Sequence, residues 1–334
     1  MGFRAYFIRG AESVVDAPRD TYALSGEFDY LAEGDVVRVE PARGALRALH
    51  RRRAPFNAML VTERCDNYCV MCSQPPKKAD DSWLVDELER AIPLISPEAR
   101  EICLTGGEPS LLGSRLVDLV RQLAAHLPDT AVHILSNGRG FARTQLARSL
   151  AEAAHPDLMV GIPIYADVPE VHDFVVQARG AFSEAVQGII ALKRYGVRVE
   201  IRFVIHEETY RGLPAFARFV ARNLLFVDHV ALMGLEPTGF AKANIEALWV
   251  DPVDYDRELR DAATVLDRSG LRVSIYNHQL CVLDPSLHRF ARASISDWKS
   301  LYLDDCARCV VRDSCGGLFA TAATRHSRAI APIV

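Results

Sequence analysis

The spacing of apolar residues through the middle of the chain alternates between two periods. Apolar runs of about four to eight residues, typical of buried strands, are followed by longer segments in which apolar residues recur every third or fourth position, as on amphipathic helices. The predicted strands span residues 56–61, 101–104, 131–135, 158–164, 197–205 and 229–233, and the predicted helices span residues 83–94, 111–127, 144–154, 182–195 and 213–225.

This alternation predicts an α/β fold. Strands separated by helices favour one parallel sheet with right-handed crossovers, because parallel neighbours need a connection long enough to hold a helix. Six such strands could close partly into a barrel or form an open, doubly wound sheet, and periodicity does not distinguish the two. In both arrangements the loops at the carboxyl ends of the strands share one edge, where the active sites of these folds lie.

Composition narrows the class of protein. The chain has 334 residues, of which 49% are hydrophobic and 25% are charged, so it can bury a large core. Its formal net charge of -4 argues against binding nucleic acid by neutralising phosphates. No apolar stretch reaches the roughly 18 residues that a membrane helix needs, and the first residues lack the apolar run of a signal peptide. We therefore predict a cytoplasmic protein that binds neither nucleic acid nor a membrane.

The cysteines carry the first chemical signal. Eight cysteines in a protein predicted to be cytoplasmic indicate metal or redox chemistry, because disulfides are rarely stable in that compartment. Cys65, Cys69 and Cys72 follow the first strand of the alternating region. Three thiolates can hold three corners of a cubane iron–sulfur cluster and leave one iron open for another ligand. A structural zinc site is the alternative, which the lack of a nearby histidine disfavours.

The CxxxCxxC spacing of these cysteines resembles the signature of radical S-adenosylmethionine (SAM) enzymes. The resemblance implies an incomplete (β/α)6 barrel of the TIM type and a SAM-binding [4Fe-4S] cluster on Cys65, Cys69 and Cys72. It also implies reductive cleavage of SAM to methionine and a 5′-deoxyadenosyl radical. Met71 stands where the family usually carries an aromatic residue, and methionine is apolar and polarizable enough to pack on the adenine ring.

Two further motifs follow the next strands at the same edge. Gly106, Gly107 and Glu108 resemble the family's GGE motif, which binds the amino group of the methionine moiety. Glycines let a backbone approach a ligand closely, and a carboxylate accepts hydrogen bonds from a cation. Ser136 and Asn137, after the third strand, resemble the family's ribose-contacting segment, although Asn-Gly is also a frequent turn dipeptide.

Two charged residues on later strands complete the first candidate site. Arg202, on the fifth strand, is the candidate that the resemblance gives for contact with the SAM carboxylate, and an exposed strand arginine is the alternative. Glu236 follows the sixth strand. As a catalytic residue it could orient a substrate or accept a proton, and a turn or capping role is equally open.

Cys281, Cys306, Cys309 and Cys315 form a second set in the last quarter of the chain. Their pattern resembles the SPASM and twitch modules that follow the barrel in radical SAM enzymes acting on peptides, and the lack of further cysteines downstream favours the shorter twitch form. Four thiolates are enough for an auxiliary [4Fe-4S] cluster, and they are also enough for a tetrahedral zinc site. Cys103, inside the second strand, is predicted to be a small buried hydrophobe.

These assignments divide the chain into a small β-rich N-terminal segment (1–54), a partial barrel (55–270), a cysteine-rich iron–sulfur module (271–320) and a tail (321–334) without recognisable chemistry. The N-terminal segment ends on a basic run at residues 50–53. Contact with an acidic leader peptide and a solvated linker are both open for this run.

Residues 56–320 look like the radical maturase of the His-Xaa-Ser peptide system. The resemblance lies in the order of the motifs and in the short sequence segments at residues 72–77, 233–239 and 295–298. That resemblance implies hydrogen abstraction from a ribosomally made precursor peptide, forming a crosslink or another oxidative modification, with a flavodoxin- or ferredoxin-type electron donor. Three alternatives stay open: an enzyme that modifies RNA, an enzyme that modifies a small molecule, and a non-catalytic scaffold for a second maturase.

Overall fold

A computed structural model describes residues 6–9, 21–293, 300–322 and 325–334 of the chain. The sequence segment at residues 295–298 lies outside these ranges. The strands in the described ranges are β1 (Tyr6–Arg9), β2 (Thr21–Leu24), β3 (Val36–Glu40), β4 (Ala45–His50), β5 (Asn57–Thr62), β6 (Glu101–Gly106), β7 (Ala131–Leu135), β8 (Leu158–Pro163), β9 (Arg198–Ile205), β10 (His229–Gly234), β11 (Val273–Tyr276), β12 (Ser300–Leu301) and β13 (Leu318–Phe319).

Strands β5 to β11 form one parallel sheet, in which the strands lie side by side in chain order. The predicted α/β fold with a parallel sheet is confirmed. The sheet has seven strands where six were predicted, because β11, which we assigned to the C-terminal module, pairs in parallel with β10. β5 and β11 are the two edges of this sheet, so the barrel that it forms is incomplete.

Helices connect successive strands and cover one face of the sheet. The apolar residues of each longer helix recur at helical spacing, as Leu116, Leu119 and Leu123 do on the second helix, and this stripe is buried. No helix in the described part of the chain is long and apolar enough to cross a membrane. The helices are α1 (Trp83–Ala91), α2 (Ser114–His126), α3 (Thr144–Glu152), α4 (Pro169–Val176), α5 (Ala181–Arg194), α6 (Leu213–Asn223), α7 (Gly239–Ala243), α8 (Ile245–Leu248) and α9 (Asp256–Arg268).

The two faces of the sheet differ in polarity. Alternate strand residues such as Ile102 and Leu104 of β6 and Ile134 of β7 are fully buried in the main core with the helices. The residues between them point to the opposite, concave face, because successive side chains of a strand alternate. We call this concave face the lumen. Polar side chains on this face include Glu101, Cys103, His133, Arg198, Glu200, Arg202, His229, Ser274 and Tyr276.

The N-terminal segment contains β-strands, as predicted, and contacts the barrel through ion pairs. Strands β3 and β4 form an antiparallel hairpin. Arg38 and Arg47 of this hairpin both pair with the buried carboxylate of Glu87 on α1. Within the basic run, Arg52 pairs with Glu98 at 2.7 Å. These arginines therefore have partners inside the chain itself.

Buried histidines make stability depend on pH. Burial lowers the pKa of His133, His172, His206 and His278 from 6.5 to about 4. Between these values the unfolded chain binds more protons than the folded chain, so stability is lost as pH falls from 6.5 towards 4. Each histidine adds a slope of up to about 1.4 kcal/mol per pH unit. We expect the midpoint of thermal unfolding to fall steeply across this window.

His206 provides the check on this prediction. It is completely buried, and neither of its ring nitrogens has a hydrogen-bond partner among the described residues. His206→Phe removes one titrating ring without breaking a recorded side-chain hydrogen bond. The free energy of unfolding of this variant should therefore depend less steeply on pH. The difference in slope from the wild type should correspond to about one bound proton. Parallel pH curves for the variant and the wild type would contradict the prediction.

Candidate functional site

The first three cysteines lie on one loop after β5, residues 63–77, which we call the cysteine loop. Elements that follow two other strands of the sheet hold its backbone. The N–H of Tyr68 donates to the C=O of Val176, at the end of α4, over 3.0 Å. The N–H of Phe240, at the start of α7, donates to the C=O of Cys72 over 2.8 Å. The loop is thus fixed at the carboxyl edge of the sheet, as predicted for an active-site loop.

The three thiols of the cysteine loop converge. Burial raises the pKa of Cys65 to about 12, and it also raises the pKa values of Cys69 and Cys72. Negative charge on Cys72 and Cys65 raises the pKa of Cys69 further, which places the three sulfurs within electrostatic range of one another. Three such thiols can ionise together only beside a strong positive charge, which cluster irons supply. The donor set therefore fits an iron–sulfur cluster.

The GGE turn packs directly against the start of the cysteine loop. The N–H of Gly107 donates to the C=O of Thr62, and the N–H of Glu108 donates to the C=O of Arg64, each over 2.7 Å. A Cβ atom on Gly107 would lie 2.1 Å from the Arg64 oxygen, and one on Gly106 would lie 2.1 Å from the Thr62 oxygen. Only glycine permits this approach, so these two residues dock the second strand end onto the loop.

Glu108 joins two of the predicted motifs. Its side chain is completely buried and accepts hydrogen bonds from the N–H of Ser110 (2.8 Å), the hydroxyl of Ser136 (2.7 Å) and the N–H of Asn137 (2.5 Å). Burial raises the pKa of Glu108, and these hydrogen bonds act in the opposite direction. In this structure Glu108 braces the loops after β6 and β7. Its contact with the amino group of SAM stays a prediction.

Asn137 and Arg139, after β7, hold the middle of the cysteine loop. The side-chain amide of Asn137 donates to Asp66 at 2.6 Å. Arg139 donates to the C=O of Asp66 at 2.9 Å and to the side chain of Asn67 at 2.8 Å, and it is anchored on Glu184 of α5 at 2.5 Å. Sequence reasoning missed Arg139, whose only signal is its place directly after the Ser-Asn-Gly segment. The ribose contact of Ser136 and Asn137 stays a prediction.

Apolar side chains lie beneath the cysteine loop. Met71 is buried in a small cluster with Tyr165, which follows β8. Burial raises the pKa of Tyr165, negative charge on Cys69 raises it further, and Arg202 lowers it. The Tyr165 phenol therefore lies within electrostatic range of both the cysteine loop and the lumen. Sequence reasoning missed Tyr165, and the contact of Met71 with adenine stays a prediction.

The segment after β10 also reaches the cysteine loop. Gly239 has a φ of +54°, and a Cβ atom on it would lie 2.4 Å from the C=O of Cys72. The sequence segment at residues 233–239 therefore packs against the cysteine loop, a structural role that the sequence did not show. Glu236 lies half-buried in the same segment, and its catalytic role stays a prediction.

Arg202 points into the lumen from β9. Its guanidinium donates to Glu200 at 3.0 Å and to the sulfur of Met233 at 3.3 Å. It is about one-fifth exposed, so the alternative of an ordinary exposed strand arginine does not describe it. The predicted contact with the SAM carboxylate is not tested by these contacts.

The second cysteine set surrounds one pocket. Cys281, Cys306, Cys309 and Cys315 all line it, together with apolar side chains that include Leu318. These four thiols come from separate parts of the chain, 281 and 306–315, which the fold brings together. Within the described ranges, no three His, Cys, Asp or Glu side chains are arranged to hold a single metal ion. The identity of any metal group here stays a prediction.

The last residues of the chain, 325–334, contribute to the same pocket. Ile330 and Ala331 line it, and the N–H of Ala331 donates a hydrogen bond to the sulfur of Cys281, which opposes the rise of the Cys281 pKa on burial. Sequence reasoning assigned no chemistry to this segment. We call it the strap.

The strap is anchored to the barrel through Arg328. The Arg328 N–H donates to Asp251 at 3.0 Å, and its guanidinium pairs with Asp254. In iron-free protein we expect Arg328→Ala to loosen the strap and to speed the reaction of the second cysteine set with a thiol reagent several-fold, as mapped by mass spectrometry. Arg211→Ala, which removes an exposed ion pair with Glu207 elsewhere, is the control. Equal labelling rates in the two variants would contradict this role of the strap.

The family follows from the motifs and their placement at one edge of the parallel sheet. Residues 59–220, which hold the cysteine loop and the GGE turn, match the family described as the Radical SAM superfamily. These residues form a radical SAM domain. Such a domain implies a [4Fe-4S] cluster and SAM, and Cys65, Cys69 and Cys72 are the residues that fit the cluster.

Curated relatives of this radical SAM chain match it over about half its length. The GTP 3′,8-cyclase of Mesorhizobium japonicum is 31% identical over 160 residues, 46% of this chain and 46% of that protein. The Fe-coproporphyrin III synthase of Methanosarcina barkeri is 26% identical over 167 residues, 49% of this chain and 40% of that protein. The chain thus spans about half the length of the curated relatives that it matches.

Solved structures with bound S-adenosylmethionine share the fold. SuiB of Streptococcus suis bound to S-adenosylmethionine superposes with a TM-score of 0.53 at 14% identity, over 67% of this chain and 51% of that chain. Native anSMEcpe with bound AdoMet superposes with a TM-score of 0.51 at 19% identity, over 66% of this chain and 64% of that chain. At these identities the likeness establishes the fold alone.

Proposed function

We propose that this chain is a radical SAM enzyme that cleaves SAM reductively and abstracts hydrogen from a peptide. The observation that carries the proposal is the presence of two separate cysteine sets. One set converges on the loop at the carboxyl edge of the barrel, and the other lines a pocket beyond it. An open cluster at the first set and a closed cluster at the second would supply a site for SAM and a second redox centre.

The residues of the first site act chiefly by positioning. Cys65, Cys69 and Cys72 would hold the cluster, which when bound supplies the electron that splits SAM into methionine and a 5′-deoxyadenosyl radical. Gly107 and Arg139 fix the cysteine loop against the second and third strand ends. Such fixed loops hold reacting groups in a productive geometry and exclude water that would waste a reactive intermediate.

The roles of the remaining candidates belong to the same proposal. Glu108 would meet the amino group of SAM, Ser136 and Asn137 its ribose, and Arg202 its carboxylate. Met71 would pack near the adenine. Glu236, after β10, would contact the substrate at the mouth of the barrel. All six lie on the sheet or on the loops at its carboxyl edge.

Two observations favour a peptide over a nucleotide as the substrate. The lumen carries the carboxylates of Glu101 and Glu200, and the guanidinium of Arg202 is already paired with Glu200, so this face disfavours the polyphosphate of a nucleoside triphosphate. In addition, two proteins of the same fold have been solved with peptides: SuiB with its precursor peptide SuiA, and anSMEcpe with the Cp18Cys peptide. The GTP 3′,8-cyclase likeness of about 160 residues is the observation that supports the nucleotide alternative.

The second cysteine set completes the proposal. Cys281, Cys306, Cys309 and Cys315 would hold an auxiliary [4Fe-4S] cluster of the twitch type, able to accept the electron that remains when a crosslink forms. A flavodoxin- or ferredoxin-type protein would supply electrons. A second maturase subunit and a cytoplasmic location are further parts of the proposal, as are the domain limits at residues 54, 270 and 320.

The test uses full-length protein reconstituted anaerobically with iron and sulfide. It is incubated with dithionite and SAM, alone, with GTP, or with synthetic peptides encoded by short reading frames beside the gene. We expect 5′-deoxyadenosine, and one peptide should increase its yield and lose hydrogen, as seen by mass spectrometry. Consumption of GTP without any peptide change would favour the nucleotide alternative. If no deoxyadenosine formed under any condition, the proposed enzymatic activity would be refuted.

A further inference from the structure

The strap forms part of the wall of the pocket that the second cysteine set lines. The strap residues in this wall are Ile330, which is half-buried, and Ala331. Most of the remaining wall is also apolar, and the other apolar side chains that line it are Leu280, Leu301, Val311 and Leu318. The four thiols thus lie in an apolar enclosure, where a polar contact to sulfur is stronger than it would be in water.

The backbone of the strap is bonded to both parts of the chain that supply the second cysteine set. The N–H of Ala331 donates to the sulfur of Cys281. The C=O of Ile333 accepts a hydrogen bond of 2.9 Å from the N–H of Val310, which lies within the segment 306–315 that supplies the other three cysteines. The strap therefore bridges two segments that are far apart in the sequence, and it places a backbone donor on one of the four sulfurs.

The strap is held in this position by contacts outside the pocket. Ser327, which is buried, donates from its hydroxyl to the carboxylate of Asp251 at 2.6 Å. The same carboxylate accepts from the N–H of Arg328 at 3.0 Å, and the guanidinium of Arg328 pairs with Asp254. Because these contacts lie outside the pocket, the chain itself fixes the strap, whether or not a metal group occupies the pocket.

Two properties of the strap would act on the reduction potential of an iron–sulfur cluster in opposite directions. Reduction adds one negative charge to the cluster. An N–H that donates to a ligand sulfur stabilises this charge and raises the potential, whereas an apolar wall excludes water and lowers it. Among the described residues that line the pocket, Arg312 is the one with a basic or acidic side chain, and its guanidinium lies over the ring of Tyr302 at 4.9 Å. The neutral contacts of the strap are therefore a major means by which this chain can adjust the potential.

We propose that the strap sets the reduction potential of the cluster at the second cysteine set. The Ala331 N–H raises this potential through the sulfur of Cys281, and Ile330 lowers it by excluding water. The inference rests on the proposed function, which assigns a [4Fe-4S] cluster to these cysteines. The step concerned is a one-electron reduction of the cluster: a substrate radical that closes a crosslink gives one electron to the cluster and one proton to solvent. Ala331 and Ile330 are thus positioning residues of an electron acceptor.

The experiment measures the potential of the second cluster by itself. Full-length protein carrying Cys69→Ala, which is expected to lack the first cluster, is reconstituted anaerobically with iron and sulfide. It is then titrated with dithionite in the presence of redox mediators, and the reduced cluster is detected by electron paramagnetic resonance. In one sample, lactic acid replaces Ala331 by amber suppression, so an ester oxygen takes the place of the N–H and the side chain is unchanged. The matched control has the same replacement at Ala329, whose N–H donates to the hydroxyl of Ser327 at 3.2 Å.

We expect the ester at residue 331 to move the midpoint potential to a more negative value and the ester at residue 329 to leave it unchanged. Ile330→Ala, which opens the apolar wall to water, should move the potential to a less negative value and speed the removal of iron by a chelator. A strap that only held the fold together would shift the potential in the same direction in the Ala331 and Ile330 variants, or would not shift it. Either result would overturn the inference.

Failure of this inference and failure of the proposed function give different results. The titration consumes no SAM and uses protein without the first cluster, so its outcome does not depend on the deoxyadenosine assay. If the second cysteine set bound no iron, the proposed auxiliary cluster and this inference would both be refuted. A loaded cluster with the same potential in every variant would refute the role of the strap alone.

Discussion

Replacing Cys69 by alanine is expected to abolish the formation of 5′-deoxyadenosine from SAM. Cys69 is the middle cysteine of the loop, and the charges of both Cys65 and Cys72 act on it. A cluster that loses one of three protein thiolates is held by two, which leaves it labile and its SAM-binding iron misplaced. Iron bound to the reconstituted variant should fall by about four atoms per chain, the content of one [4Fe-4S] cluster.

Cys103→Ala is the matched control for Cys69→Ala. Cys103 lies on β6 and is buried, and burial raises its pKa to about 12, as expected for an inert thiol. This variant should keep both its iron and its activity. Retained deoxyadenosine formation in Cys69→Ala, or equal loss of iron in both variants, would contradict the assignment of the first cluster. Loss of zinc with unchanged iron would favour the structural zinc alternative.

The barrel was largely predictable because apolar residues recur at regular spacing in its strands and helices. The third strand was predicted at residues 131–135 and is Ala131–Leu135 in the structure. The seventh strand was missed for a physical reason. Val273–Tyr276 has four residues, and two of them, Ser274 and Tyr276, face the lumen, so its sequence shows no apolar run. Only its pairing with β10 identifies it as part of the barrel.

The cysteines of the site could be predicted from the sequence, but the residues that hold the cysteine loop in place could not. Cysteine spacing is visible in the sequence because Cys65, Cys69 and Cys72 lie on one loop. Arg139 donates to Asn67 across 72 positions of the chain, and no local pattern records such a contact. The strap is a similar case, since its approach to Cys281 depends on how the chain folds back. Contacts between remote segments therefore account for most of what the sequence left out.

The docking of the GGE turn leads to the second large prediction: Gly107→Ala should displace the cysteine loop. Unlike Gly239, Gly107 does not have a positive φ, so alanine brings no backbone strain of its own. The added Cβ would lie 2.1 Å from the backbone oxygen of Arg64 and 2.6 Å from its carbonyl carbon. These are backbone atoms, so they cannot rotate away as the end of a flexible side chain could. We expect a loss of about 1–3 kcal/mol in the free energy of unfolding, as for other overpacked sites.

Gly212→Ala provides a matched comparison. Gly212 has a φ of -80°, and a Cβ atom there would meet nothing within 4 Å. Alanine should leave this position neutral or stabilise it by about 0.4–1 kcal/mol through the unfolded chain. Urea unfolding and iron content are measured for both variants, and only Gly107→Ala should lose iron from the first site. If Gly107→Ala kept full iron and activity, the turn would not position the cysteine loop, and the GGE motif would have to act through Glu108 alone.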